Sequence, residues 1–141
     1  VAKICWDTNL FIYLIEAPGA LAERTVRLAE AMLARGDSLY ASALTLGEVL
    51  VKPYRSGDLR LARQYEEILS PPNVELVPFD AAASRLFARI RADNAIRQPD
   101  AIQLACAASA GCSLFLTNDD RLSNARVKEI DFILPLARAP I

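Results

Sequence analysis

Apolar and polar positions alternate along the chain in blocks. Ile4, Cys5 and Trp6 form an apolar run, Asp7-Thr8-Asn9 interrupts it, and residues 10–15 are apolar again. A buried strand reads as a short apolar run bounded by polar residues. The pattern therefore predicts a first strand ending at Trp6 and a helix reaching about Glu16, capped by Asp7 or Thr8. Pro18-Gly19 breaks that helix. Leu21, Thr25, Leu28 and Met32 then recur at helical spacing, which predicts an amphipathic helix over Ala20–Arg35. Residues 38–41 read as a second strand, and residues 45–51 as a short helix carrying Glu48. Lys52-Pro53 is expected to stop it, leaving residues 54–57 as a loop.

Asp58 suits the cap of another helix, with Leu61, Tyr65, Ile68 and Leu69 on one side, and Pro71-Pro72 ends it. Residues 74–77 read as a third strand near a sheet edge, because Pro78 lacks a ladder donor. Asp80 caps a helix over residues 81–95, with Ala83, Leu86, Phe87, Ile90 and Asn94 on one face. Pro99 suits the first position of a helix. The small residues of 101–110 let that helix approach a sheet closely before Gly111 ends it. Residues 113–117 are the clearest strand, 118–120 a turn, and 130–134 a last strand. Strands and helices alternate, which predicts a three-layer α/β/α architecture around a mostly parallel central sheet.

The chain has 141 residues, so one domain over residues 1–141 is expected, large enough to bury a core without staples. Hydrophobic residues make up 53%, which leaves room for an apolar interface as well. No apolar run approaches bilayer length, and the opening residues lack a secretory pattern. Cys5, Cys106 and Cys112 form no CxxC pair and lie in apolar surroundings. Buried free thiols in a reducing, cytoplasmic compartment are expected. The net charge of −1 announces no nucleic-acid partner by itself, although a local basic patch suffices for one.

The chain contains no histidine. That removes Ser-His-Asp and Cys-His nucleophile arrangements and the usual zinc sites. Carboxylates working with a hard cation become the natural candidates for chemistry. Asp7 and Asp119 each sit just past an apolar strand, Glu48 follows the second strand, and Asp100 opens the helix leading into the fourth. In a parallel sheet all four converge on the edge where ligands bind. Each acid also has a local explanation: a cap for Asp7, a solvated helix position for Glu48, a helix dipole for Asp100 and a turn for Asp119. Together they crowd like charges, a conflict that Mg²⁺ or Mn²⁺ removes with oxygen ligands. Such a site suits phosphoester hydrolysis.

Four stretches carry a resemblance. Asp7-Thr8-Asn9-Leu10-Phe11-Ile12-Tyr13, Ser42-Ala43-Leu44-Thr45-Leu46-Gly47-Glu48-Val49-Leu50, Pro99-Asp100-Ala101-Ile102-Gln103-Leu104-Ala105 and Thr117-Asn118-Asp119-Asp120-Arg121-Leu122 resemble, in order and spacing, the signatures of PIN-domain ribonucleases. More narrowly they resemble the VapC-type toxins of toxin–antitoxin pairs. The resemblance implies Mg²⁺- or Mn²⁺-dependent endonucleolytic cleavage of RNA. Asp7, Glu48 and Asp100 match the family's core metal-binding acids and Asp119 its more variable fourth; Asp120 fits the pattern less well. Thr8, Asn9 and Thr117 match positions that support the acids from behind. Leu122 stands where the family often has an aromatic residue. A homodimer is implied too, with an antitoxin segment laid across a groove that part of residues 10–15 lines.

Other readings compete. An aspartyl phosphatase wants an acid where Asn9 stands, a phospho-acceptor receiver wants an acidic pair at the first strand, and a dinucleotide binder wants a glycine-rich first turn. A non-catalytic PIN-like scaffold that only binds RNA or protein has no need to keep all four acids. Arg85 and Arg89, and Lys52 and Arg55 near Glu48, read first as solvated surface and second as phosphate-steering groups.

Overall fold

The first apolar run forms β1 (Lys3–Trp6) in the computed structural model, which describes residues 1–141. After it come α1 (Thr8–Ile15), α2 (Ala20–Arg35), β2 (Ser38–Ser42), α3 (Ala43–Ser56), α4 (Leu59–Ile68) and β3 (Glu75–Val77). Then follow α5 (Ala81–Asp93), α6 (Gln98–Ser109), β4 (Leu114–Leu116), β5 (Phe132–Leu134) and a closing 3-10 turn at Leu136–Arg138. All strand pairs are parallel, in the order β3-β2-β1-β4-β5. The expected three-layer α/β/α fold is therefore present, and the third strand lies at an edge.

Successive side chains of a strand point to opposite faces, and this parity builds two cores. Ile4 and Trp6 of β1, with Leu114 and Leu116 of β4, pack against α1, α2, α3 and α4 through Leu10, Phe11, Met32, Val49 and Tyr65. Cys5 and Phe115 point the other way, onto Ile90 of α5 and Ala101, Leu104, Ala105 and Ala108 of α6. Burying one leucine fully is worth about 1.5–3 kcal/mol, so a one-residue slip of β1 would forfeit both cores. All three cysteines are buried and free. No helix is long and apolar enough to cross a membrane.

Several boundaries move. The helix carrying Glu48 does not stop at Pro53 but runs to Ser56. A proline inside a helix removes one hydrogen bond and crowds the preceding turn. Here it falls in the last turn, where Pro53 is buried and its carbonyl accepts the N–H groups of Gly57 and, at 2.9 Å, Asp58. Gly57 closes the helix at φ +71°, a left-handed conformation that suits glycine. Pro99 occupies the second position of α6 rather than the first, behind Gln98. β3 and β5 are shorter than expected, beginning at Glu75 and Phe132. Residues 10–15 are not uniformly buried: Leu10 and Phe11 are fully enclosed, whereas Ile12, Tyr13, Leu14 and Ile15 remain half-buried.

Candidate active site

The β1–α1 junction positions the first acid. Asp7 caps α1, and its backbone N–H reaches the carbonyl of Leu116 at 2.9 Å, extending the pairing of β1 with β4 by one residue. Its Oδ1 accepts the Thr8 N–H at 2.8 Å and its Oδ2 the Thr117 hydroxyl at 2.7 Å. Burial raises the Asp7 pKa above the ordinary aspartate value. The two hydrogen bonds pull the other way, and the negative charges of Asp100 and Glu48 add to the rise.

Glu48 approaches from α3. Its Oε1 accepts the Thr8 hydroxyl at 2.6 Å and the Gln103 amide at 3.0 Å. The same amide nitrogen donates to the Thr8 hydroxyl oxygen at 3.0 Å, and the Thr45 hydroxyl donates to Gln103 Oε1 at 3.1 Å. Thr8 and Thr45 also touch, oxygen to oxygen, at 2.9 Å. Gln103 is 1% exposed. It lies within the third stretch that carries the resemblance, but the sequence reading assigned it no role. Its partners lie in α1 and α3, far away in the chain.

The remaining acids face arginines. Asp100, on the first turn of α6, pairs through Oδ2 with Arg97 Nε at 3.3 Å. Asp119, beyond β4, takes Arg121 in a two-pronged grip: Nε to Oδ1 at 3.0 Å and Nη2 to Oδ2 at 2.7 Å. The Arg121 bonds hold Asp119 below the usual carboxylate range. The Asp119 N–H donates to the Thr117 hydroxyl at 3.0 Å, so Thr117 ties Asp119 to Asp7. Arg97 and Arg121 are thus the cations nearest the acids, and the sequence did not single them out. Of the cations that were singled out, Lys52 is bound to Glu16 at 2.6 Å and Arg89 pairs with Glu129 at 3.7 Å.

Asp7, Thr8, Asn9, Glu48, Arg97, Asp100, Gln103 and Asp119 line one cleft of about 270 Å³ at the carboxyl ends of the strands. Thr117 lies beneath it, holding Asp7. Asn9 lines the cleft without a hydrogen bond to any acid, and Asp120 is exposed outside it. As placed, no three acidic side chains group tightly enough to hold a common ion. The donor chemistry nevertheless fits a hard cation. Every candidate ligand is a carboxylate oxygen, and Glu48 Oε2 and Asp100 Oδ1 accept no proton from the protein.

Parallel strands with a carboxylate-lined cleft at their carboxyl ends define an α/β protein with an oxygen-donor site. The PIN domain profile matches residues 4–128, and the chain belongs to the PIN domain family. Its fold is similar to that of VapBC2 from Rickettsia felis bound to a DNA fragment from its promoter, with a TM-score of 0.74 and 17% identity over 94% of this chain and 98% of that one. It is also similar to VapC20 from Mycobacterium tuberculosis, a sarcin-ricin loop cleaving toxin, with a TM-score of 0.68 and 20% identity over 90% and 98% of the two chains. VapBC-5 from the same organism gives a TM-score of 0.59 and 24% identity over 95% and 99%. No curated protein matches the chain significantly.

Proposed function

We propose that the chain is a Mg²⁺- or Mn²⁺-dependent endoribonuclease and the VapC-type toxin of a toxin–antitoxin pair, working in the cytoplasm as a single nuclease domain. The observation that carries this reading is the cleft in which Asp7, Glu48, Asp100 and Asp119 meet. Asp7, Glu48, Asp100 and Asp119 would hold the ion. A bound ion would supply positive charge to offset the scissile phosphate and would make the attacking water easier to deprotonate.

The protein's own groups do the rest. Thr8, Thr117 and Gln103 hold Asp7 and Glu48 in place. Arg97 and Arg121 stand beside the acids as exposed donors for the RNA backbone. Asn9 offers an amide from the cleft wall. The Asp100 oxygen that no protein donor occupies takes the proton of the attacking water.

The test is cleavage of total RNA by chelator-washed protein. Discrete fragments that require Mn²⁺ or Mg²⁺ and disappear in Asp100→Asn are expected. Absence of cleavage by folded, ion-loaded protein on total RNA would overturn the nuclease reading. The second reading is a scaffold that binds RNA or protein without cutting. One observation favours it: Arg97 and Arg121 already neutralise Asp100 and Asp119 without an ion. The same experiment separates the two.

The antitoxin and a homodimer follow from the VapC reading. A mainly apolar groove of about 310 Å³, lined by Ile12, Tyr13, Ala17, Leu21 and Val49, opens beside Glu48 and suits an antitoxin segment. Light scattering at micromolar concentration should give twice the chain mass; a clean monomer would count against the dimer.

A further inference from the structure

Gln103 is the least exposed polar side chain in the cleft wall, and none of its hydrogen bonds serves the fold of its own helix. Proton bookkeeping fixes its orientation. A carboxylate only accepts, so the Gln103 atom 3.0 Å from Glu48 is the amide nitrogen, which points one shared N–H between Glu48 Oε1 and Thr8 Oγ1. The Thr8 proton goes to the same Glu48 oxygen at 2.6 Å. Oε1 therefore receives two donors and its lone pairs are filled, while Oε2 receives none from the protein. Thr45, donating to Gln103 Oε1, secures the other end of the amide.

From this geometry we infer that Gln103 is a positioning residue that makes Glu48 a one-oxygen ligand and thereby selects a small octahedral cation over Ca²⁺. The inference rests on the metal-site reading above. Ca²⁺ takes six to eight oxygens and commonly uses both oxygens of a carboxylate, whereas Mg²⁺ takes a strict octahedron and keeps several waters. With Oε1 filled, Glu48 cannot chelate through both oxygens unless the Gln103 and Thr8 bonds break. Groups that orient a ligand in this way are typically worth about 10–100-fold in metal affinity.

The test is calorimetric titration of Mn²⁺ and of Ca²⁺ into chelator-washed protein, for wild type and Gln103→Met, which keeps the volume and removes the donors. Mn²⁺ affinity should fall about tenfold and Ca²⁺ affinity should hold or rise, so the preference for Mn²⁺ falls at least as far. In a Glu48→Ala background the Gln103 substitution should change neither affinity. An equal loss for both ions, no change, or a further loss in the Glu48→Ala background overturns the role of Gln103. A wild type that binds neither ion overturns the metal-site reading itself. If Gln103→Met does not fold, Thr45→Val loosens the amide from its far end and should lower the Mn²⁺ preference in the same direction; an unaltered preference there also overturns the inference.

Discussion

Thr117 donates its hydroxyl proton to Oδ2 of Asp7 at 2.7 Å and accepts the backbone N–H of Asp119 at 3.0 Å. One hydroxyl thus couples the acid at the end of β1 to the acid beyond β4. Thr117→Val keeps the shape and removes both bonds, leaving a buried carboxylate with one donor fewer. Leaving a buried group unsatisfied costs about 1–3 kcal/mol, and cleavage should fall about 10–100-fold by analogy with groups that orient metal ligands. Urea denaturation and RNA cleavage in parallel check both figures.

Removing or adding the cation should change stability in a pH-dependent way. Asp7 is pushed up by burial, with Asp100 and Glu48 adding to the rise. The stability contributed by its protonated form is complete below the unfolded value of about 3.9 and is lost as pH rises through the folded value. Above that folded value the protein without an ion carries a buried, crowded charge. Mn²⁺ at a hundred times its dissociation constant should stabilise the fold by about 2.7 kcal/mol, with a smaller gain as the pH falls and Asp7 protonates. Thermal melts with and without Mn²⁺ measure this, and Asp7→Asn should lose most of the shift.

Arg121 grips Asp119 with two nitrogens, yet its side chain is mostly exposed. Arg121→Ala should leave the melting temperature almost unchanged, since exposed pairs contribute little. Asp119, released from the bonds that lower its pKa, should titrate higher. RNA affinity should weaken, and the slope of log affinity against log salt should shrink by about one contact. Filter binding across a salt series with a non-cleaving Asp100→Asn background reads the slope directly.

Glu16 closes α1 and lines the apolar groove beside Glu48. Burial works to raise its pKa, but hydrogen bonds from Lys52 and from the Tyr65 hydroxyl outweigh burial and hold it below the usual range. A carboxylate lowered in this way stabilises the fold fully above its unfolded pKa of about 4.3, and that contribution is lost as pH falls through the lower folded value. The urea midpoint should drop below about pH 4, and Glu16→Gln should show a shallower drop.

Much of this layout was readable in local pattern. The apolar run 4–6 closed by Asp7, the helical spacing of Leu21, Thr25, Leu28 and Met32, and the acids following strands all report on neighbours close in sequence. What escaped was long-range or context-dependent. Gln103 bonds Thr8 across 95 positions, and Lys52 finds Glu16 across 36; no window holds both partners. Pro53 reads as a stop because its local cost is known, whereas its burial and the donors collected on its carbonyl come from the fold. Arg97 and Arg121 look like ordinary surface charge until the cleft gives them acids to face. Asn9, matched by resemblance to a supporting role, faces the cleft without bonding an acid.

Trp6 is the only tryptophan in the chain. It is wholly enclosed, its ring lies 5.1 Å from that of Phe11, and it directly precedes Asp7. The protein therefore carries an intrinsic optical reporter next to its acidic cleft. Excited beyond the tyrosine band, all emission comes from one indole whose packing partner sits on the helix that Asp7 caps. A shift of α1 on loading the cleft would move Phe11 against that indole, and stopped flow on unlabelled protein would time it.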